Sequence, residues 1–169
     1  MAERDVEKVY NTADVVAELR RLADTLDALL AATAPALRAL DEQVAGLKPD
    51  PSTWSIKEVL GHLVDSAANN HQRFVRAQEI GELVLPGYEQ DHWVRAQAYQ
   101  ARPWAEIVQL WEVYNRHLAH VIRHIPAPAL ETRCRIADYA PVTLGFIVED
   151  YVTHMRHHLQ QIETRKTAR

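Results

Sequence analysis

The sequence has little of what disulfide-bonded, membrane-spanning or nucleic-acid-binding proteins require. Its single cysteine, Cys134, excludes a disulfide within the chain and is typical of a reducing compartment. Only five glycines are present, and runs of β-branched residues are scarce, which favours helix over sheet. No stretch approaches the roughly 18 uninterrupted apolar residues of a membrane span, and no apolar run of a signal peptide follows the charged N-terminus. A net charge of −4 argues against nucleic-acid binding. We therefore expect a cytoplasmic, all-helical protein that binds neither membranes nor nucleic acid.

The length and the hydrophobic pattern predict one helical domain. The chain has 169 residues, of which 47% are hydrophobic and 25% charged, as in ordinary globular proteins. Apolar residues recur at three- and four-residue spacing in four long stretches. The broad connection between the second and third stretches, residues 81–102, is irregular. These features predict a four-helix bundle that occupies residues 1–169 as a single domain, with its core at about residues 12–163.

Local signals indicate where these helices begin or break. Pro35 interrupts the first stretch, and we expect it to kink that helix or split it. Ser55 and Glu58 have the spacing of a capping box and begin the second helix. Pro103 suits the first position of the third helix, and Thr143 is a plausible cap for the fourth.

The fourth stretch carries the most specific chemistry. His154 and His158 lie one helical turn apart, at the edge of and within the apolar stripe, so both imidazoles project to the same side. This spacing lets both rings reach one cation about 2 Å from each nitrogen. The alternative is a pair of buried, hydrogen-bonded core imidazoles. His157, on the far side of the helix, is expected to be solvated.

Other histidines have weaker claims to a functional role. His62 lies roughly 120° from the apolar centre of its helix, where periodicity alone predicts a solvated face. His117, His120 and His124 lie one turn apart on the third helix and form a rival metal constellation, but no acidic residue alternates with them. A solvated cluster is the favoured interpretation. His92, in the long connection, is either a ligand from a loop or a surface residue.

Two motifs are distinctive, WSIKEVLGHL at residues 54–63 and DYVTHMRHH at residues 150–158. Together they resemble the DinB-like (damage-inducible) superfamily, which includes the YfiT-type metal-dependent hydrolases. The resemblance covers roughly residues 20–163. It implies a four-helix bundle of up-down-down-up topology, with one metal ligand from the second helix and two from the fourth, which fall on His62, His154 and His158. It also implies a homodimer. Similar proteins include transferases and isomerases that use low-molecular-weight thiols such as bacillithiol or mycothiol.

The chemistry of such a ligand set favours catalysis. Three imidazoles leave a divalent cation, Zn²⁺ or Ni²⁺ most simply, with an open coordination position. A metal of this kind activates water or a thiol against a small-molecule substrate. Asp65, one turn after His62, is a candidate general base, and Glu58 and Asp150 are candidates to orient the ligand imidazoles. For all three acids, a solvated helix carboxylate is the alternative.

A second hypothesis is a non-catalytic bundle in which the metal staples two helices. Such a protein would serve as a dimeric binding module in a stress response. The coordination sphere distinguishes the two hypotheses. A fourth protein ligand, such as His92 or Cys134, favours the staple, whereas an open position beside a pocket favours the enzyme.

Overall fold

The computed structural model describes residues 12–79 and 81–167. The expected domain limits at residues 1 and 169 lie outside this range. Six α-helices are present in it, four of them long: α1 (Thr12–Arg38), α2 (Glu42–Gly46), α3 (Ile56–Arg76), α4 (Gln90–Ala96), α5 (Trp104–Arg123) and α6 (Leu144–Thr167). Single 3₁₀ segments lie at Tyr99–Ala101 and Ala127–Glu131, and three short strands at β1 (Glu82–Leu85), β2 (Arg133–Ile136) and β3 (Val142–Thr143). None of the described helices combines the length and apolar character needed to cross a bilayer.

Contacts between helix ends establish the directions of the long helices. The indole Nε1 of Trp104, at the start of α5, donates to the carbonyl of Leu37 near the end of α1, at 2.8 Å. Arg165, near the end of α6, donates to the carbonyl of Trp54, just before α3, at 2.5 Å. The helix pairs α1–α5 and α3–α6 are therefore antiparallel.

The remaining neighbouring pairs are parallel. Lys57 Nζ, in the first turn of α3, donates to the carbonyl of Arg102, just before α5, at 2.9 Å, so α3 and α5 begin at the same end. The starts of α1 and α6 share a groove between Val15 and Phe146. The predicted four-helix bundle with up-down-down-up topology is confirmed.

The sequence signals for helix ends are largely confirmed. Ser55 and Glu58 form the capping box of α3, and Thr143 Oγ1 accepts from the backbone N–H of Phe146, at 3.2 Å. Pro35 does not split the first helix, because α1 continues to Arg38 and the chain separates into α2 only after that residue. Pro35 cannot donate to the carbonyl four residues earlier, but its own carbonyl accepts from the backbone N–H of Ala39 at 3.1 Å, so the helical hydrogen bonding resumes after it.

A small sheet adds to the helical bundle that the sequence predicted. Strand β1 pairs in parallel with β2, with Leu83 opposite Cys134, and β2 pairs antiparallel with β3. Cys134 lies in β2 and is buried. Because β1 follows α3 and β2 follows α5, the sheet lies at the end of the bundle where these two helices finish.

The N-terminal half of helix α3 is buried on all sides. Every residue from Ile56 to Ala67 is buried, and α3 contacts five other elements: α2, α4, α5, α6 and the 3₁₀ segment Tyr99–Ala101. The helix therefore has no solvated face at its N-terminal end. His62 lies in this enclosed half.

Candidate metal centre

Three imidazoles from two helices converge in the half of the bundle where α3 begins. His62 comes from α3, and His154 and His158 come from consecutive turns of α6. One ring nitrogen of each lies within 4.8 Å of the other two. The Nε2 atoms of His62 and His154 face each other at 3.2 Å. Among the described residues, this is the one group of three or more metal-ligating side chains that meets this distance.

The surrounding packing fixes these rings. His62 is fully buried, and the indole of Trp54 lies against it with ring centroids 5.1 Å apart. The capping box of Ser55 and Glu58 fixes the start of α3 two turns before His62. His154 and His158 are half-buried, with ring centroids 4.5 Å apart.

Hydrogen bonds on the opposite ring nitrogens orient two of the three imidazoles. His158 Nδ1 lies 3.0 Å from Gln161 Oε1. An amide oxygen only accepts, so Nδ1 carries the proton and Nε2 keeps its lone pair. His154 Nδ1 lies 3.5 Å from Ser66 Oγ, at the outer limit of hydrogen bonding. His62 Nδ1 has no hydrogen-bond partner among the described residues.

Burial keeps all three rings neutral. It lowers the pKa of His62 to about 3 and that of His154 to about 4, and the neighbouring imidazoles reinforce both shifts. Burial also lowers the pKa of His158. Metal ions bind the deprotonated nitrogen of a neutral imidazole, so the site does not have to lose protons near pH 7 to accept a cation.

The donor set fits a divalent cation. Two nitrogens at about 2.0–2.1 Å from one tetrahedral metal lie roughly 3.4 Å apart, close to the 3.2 Å between His62 Nε2 and His154 Nε2. The three residues fit the ligand set that the resemblance implies.

Asp65 lies one turn beyond His62 but is held by the long connection. The Tyr99 hydroxyl donates to Asp65 Oδ1 at 2.6 Å, and the Gln97 side-chain amide donates to the same oxygen. Asp65 is fully buried, and its Oδ2 has no partner among the described residues. Burial raises its pKa to about 6, although both hydrogen bonds oppose that shift.

The Tyr99 ring packs directly against Gly61. A Cβ added at Gly61 would lie 2.2 Å from Tyr99 Cδ2, closer than real atoms approach. Glycine is required here because the ring occupies the place of a side chain. The hydrogen bond between Asp65 and Tyr99 therefore holds the long connection against α3 beside His62.

The two other acidic candidates do not orient the imidazoles. Glu58 accepts from the Ser55 backbone N–H and pairs with Lys48 at 2.8 Å. Asp150 is exposed, and no hydrogen bond joins it to a ring in the described part of the chain. Ser66 and Gln161 lie beside the rings instead, and sequence reasoning missed both.

The remaining candidate ligands lie outside the cluster. His92 is exposed on α4, and Cys134, although buried, is not within ligand distance of the three histidines. His117 and His120 are exposed on α5. His117 packs on His71 with ring centroids 5.1 Å apart, and His120 packs on His124 with centroids 4.3 Å apart.

A cavity of about 430 Å³ lies beside His154 and extends towards the small sheet. Ser66 and His154 line its end at the imidazoles, and Cys134 lines its end at the sheet. This volume is within the range of small-molecule binding sites. Of the three imidazoles, His154 is the one that lines this cavity.

Comparison with known proteins identifies the family. Residues 25–162 match the sequence profile of the DinB superfamily. The chain belongs to the DinB superfamily. The match includes parts of all four long helices and all three clustered histidines.

Two relatives of this DinB-superfamily chain are described as metal-dependent enzymes. A "Putative metal-dependent hydrolase" of Halalkalibacterium halodurans is 22% identical over 112 residues, and a protein of the same description from Oceanobacillus iheyensis is 23% identical over 109 residues. The alignments cover 66% and 64% of this chain, and 65% and 63% of those proteins. The chain thus matches slightly less than two thirds of the length of each relative.

The fold is also that of a solved structure, YfiT from Bacillus subtilis, described as a probable metal-dependent hydrolase with an unusual four-helix bundle topology. The TM-score is 0.68 at 16% identity, with 98% of this chain and 91% of YfiT covered. At this identity, the likeness bears on the fold alone.

Proposed function

We propose that the chain is a metal-dependent enzyme whose divalent cation, Zn²⁺ or Ni²⁺, is bound by His62, His154 and His158. The observation that carries the proposal is the convergence of three neutral imidazoles beside an open cavity. When bound, such a cation lowers the pKa of a coordinated water or thiol and so supplies a nucleophile near neutral pH. The substrate is a small electrophile.

The chain's own residues prepare the site. Gln161 fixes the tautomer of His158, and Ser66 lies where it can do the same for His154, so that Nε2 of each ring is available as a ligand. Trp54 covers His62 and limits access of water from that side. The general-base role of Asp65 stays a prediction. Its unpartnered Oδ2 and raised pKa support that role, and its bonds to Tyr99 and Gln97 support a positioning role.

The enzyme is favoured over the metal-stapled binding module. Among the described residues no fourth cysteine, histidine or carboxylate joins the three imidazoles. A structural metal prefers four protein ligands, whereas a catalytic metal keeps a position open. The cavity beside His154 supplies the approach to that position.

Hydrolysis is the first candidate reaction, and transfer of a low-molecular-weight thiol is the second. The descriptions of the relatives favour hydrolysis, and the resemblance to thiol-using members of the superfamily favours transfer. Both reactions need the same cation and the same cavity. We further propose a cytoplasmic homodimer that is one domain, on the basis of the resemblance and the single cysteine.

Metal analysis tests the site directly. Purified protein dialysed against Zn²⁺ or Ni²⁺ is expected to retain one equivalent per chain by plasma mass spectrometry, and His62→Ala and His154→Ala are expected to retain less than about a tenth of that. His157→Ala, which changes an exposed imidazole on the same turn of α6, is the matched control and should bind normally. Full metal retention by both ligand variants would overturn the site.

Two assays distinguish the reactions. Release of 4-nitrophenol from 4-nitrophenyl acetate reports hydrolysis, and conjugation of cysteine with 1-chloro-2,4-dinitrobenzene, which forms a C–S bond and releases chloride, reports thiol transfer. At least one rate should depend on added metal, fall at least 100-fold in His154→Ala and persist in His157→Ala. Metal binding with neither activity would favour the stapled module.

A further inference from the structure

One face of α3 leads from the imidazoles to an arginine inside the cavity. His62, Ser66, Asn70 and Arg73 follow each other at intervals of four, four and three residues, which places them on one side of the helix. Ser66, Asn70 and Arg73 all line the cavity. Seven residues, or about 10 Å of helix rise, separate Ser66 from Arg73. The cavity is therefore lined by His154 near one end of this row and by Arg73 further along it, and the Arg73 guanidinium reaches back to Asn70.

The Arg73 guanidinium has spare hydrogen-bonding capacity. Its Nη1 donates to Asn70 Oδ1 at 3.2 Å, and no carboxylate among the described residues pairs with it within 4.0 Å. A guanidinium has five N–H donors in a fork that matches an oxyanion. Burial lowers the pKa of Arg73, which shows that its charge is poorly solvated, and nearby Tyr88, Asp150 and Cys134 offset only part of that effect. A half-buried cation of this kind is a binding site for an anionic ligand.

The surroundings favour a singly charged anion. Asp150 lines the same cavity and acts electrostatically on Arg73 without pairing with it. Its negative charge partly offsets the field of the single guanidinium, so a carboxylate is better accommodated than a doubly charged phosphate. This balance of charges favours an anion with a single charge.

The cavity walls favour an apolar or aromatic body. Tyr139, in the turn between β2 and β3, and Phe146, in the first turn of α6, both line the cavity, with 77% and 55% of their surfaces exposed. Large exposed aromatic side chains beside a pocket mark a surface that gains from covering. Ile136 and Val142 continue this apolar wall between them.

We propose that the substrate carries a carboxylate, which Arg73 binds, and an apolar or aromatic body that lies against Tyr139 and Phe146, so that its far end is held beside the imidazoles. That this ligand is a substrate rests on the proposed function. Binding of the carboxylate by Arg73 does not require the metal, so the two ideas can fail separately.

Calorimetry on metal-depleted protein tests the proposal. The probes are 4-phenylbutyrate and 4-phenylbutyramide, which have nearly the same shape, but the amide is neutral and has an NH₂ donor in place of one carboxylate oxygen. Wild type should bind the acid at least tenfold more tightly than the amide, and Arg73→Gln should weaken the acid by 10- to 100-fold while leaving the amide unchanged. Arg76→Gln, one turn further along α3 and exposed, is the matched control and should bind both probes as wild type does.

Several results would overturn the proposal. These are equal binding of acid and amide, absence of saturable binding of the acid by wild type at 10 mM, and equal loss in Arg76→Gln. Tighter binding of phenyl phosphate than of the acid would overturn the preference for a carboxylate. Should Arg73→Gln fail to fold, Arg73→Lys takes its place and should weaken the acid at least threefold, because lysine keeps the charge but loses the fork. Loss of metal binding with these preferences intact would refute the proposed function alone.

Discussion

The carboxyl group of Asp65 is fully buried. One of its oxygens accepts hydrogen bonds from two donors, and the other oxygen has no partner among the described residues. Burial raises its pKa from 3.8 to about 6 in the folded protein. A folded-state pKa above the unfolded one means that the carboxyl contributes stability below about pH 4. This contribution is lost as the pH rises through 6. Asp65 therefore makes the fold less stable at neutral pH than at mildly acidic pH, other groups being equal.

Replacement of Asp65 by asparagine should remove this pH dependence. The asparagine side chain keeps an oxygen that accepts from Tyr99 and Gln97 but cannot ionise. Between pH 4 and pH 7, the free energy of unfolding of Asp65→Asn should improve relative to wild type by up to about 3 kcal/mol. Urea denaturation of the metal-free proteins at several pH values measures the difference. Asp150→Asn, at an exposed carboxyl of α6, is the control, and parallel curves for Asp65→Asn and wild type would show that Asp65 does not titrate in this range.

His158 is half-buried on α6, within the apolar stripe where sequence periodicity placed it. Its one side-chain hydrogen-bond partner among the described residues is Gln161, on the next turn. We expect His158→Leu to lose stoichiometric metal binding but to keep metal-free stability within about 1 kcal/mol of wild type, because leucine packs there without desolvating a polar ring. Metal analysis and urea denaturation measure the two effects. A loss of several kcal/mol without metal would identify His158 as a structural core residue.

At the scale of the helices, hydrophobic periodicity found His154 and His158 but assigned His62 to a solvated face. That assignment was wrong because α3 is enclosed on all sides from Ile56 to Ala67. Hydrophobic periodicity can identify a candidate ligand only on a helix that has one solvent-exposed face and one buried face. The position of His62 followed instead from the family motif around it.

Other features of the site could not be predicted from the sequence. Ser66 lies beside His154 only because α3 and α6 pack at a particular register, and Gln161 contacts His158 only in one rotamer. Strands β1 and β2 have four residues each. This length is too short for the alternation of polar and apolar residues to distinguish a strand from a loop. Long periodic segments and capping boxes are local, whereas these contacts depend on tertiary packing.

Gly61, on α3, makes one such tertiary contact, with the ring of Tyr99. Gly61→Ala should destabilise the fold by about 1–3 kcal/mol, because the new Cβ overlaps the Tyr99 ring, although alanine gains about 1 kcal/mol in helix propensity. Gly145→Ala is the matched control in α6, where a new Cβ meets its nearest atom at 3.6 Å. Thermal denaturation of both variants measures the contrast. Equal stability of the two variants would show that Tyr99 yields easily.

For the whole molecule, the apolar core predicts that folding does not depend on the metal. Buried residues from all four long helices form one continuous core. Metal-depleted protein should keep its helical circular dichroism, and Zn²⁺ at about 100 times its Kd should add about 2.7 kcal/mol. For a chain of this size, that corresponds to roughly 5–10 °C in Tm. His154→Ala should show no such shift, and unfolding on metal removal would instead support the structural staple.

The oligomeric state is a second property of the whole molecule. We predict a homodimer, so light scattering at micromolar concentration should give about twice the chain mass of 19.3 kDa. A mass near that of one chain would count against this prediction.

The parallel arrangement of α3 and α5 has a consequence for how such a protein diversifies. Parallel neighbours cannot be joined by a short turn, so residues 77–103 must travel the length of the bundle. On the way they supply Tyr88, Gln97 and Tyr99 to the surroundings of the site. The imidazoles, in contrast, are carried by the helices themselves. Ancestral or engineered exchange of this one return segment should therefore alter which molecules are accepted while the three clustered histidines stay in place.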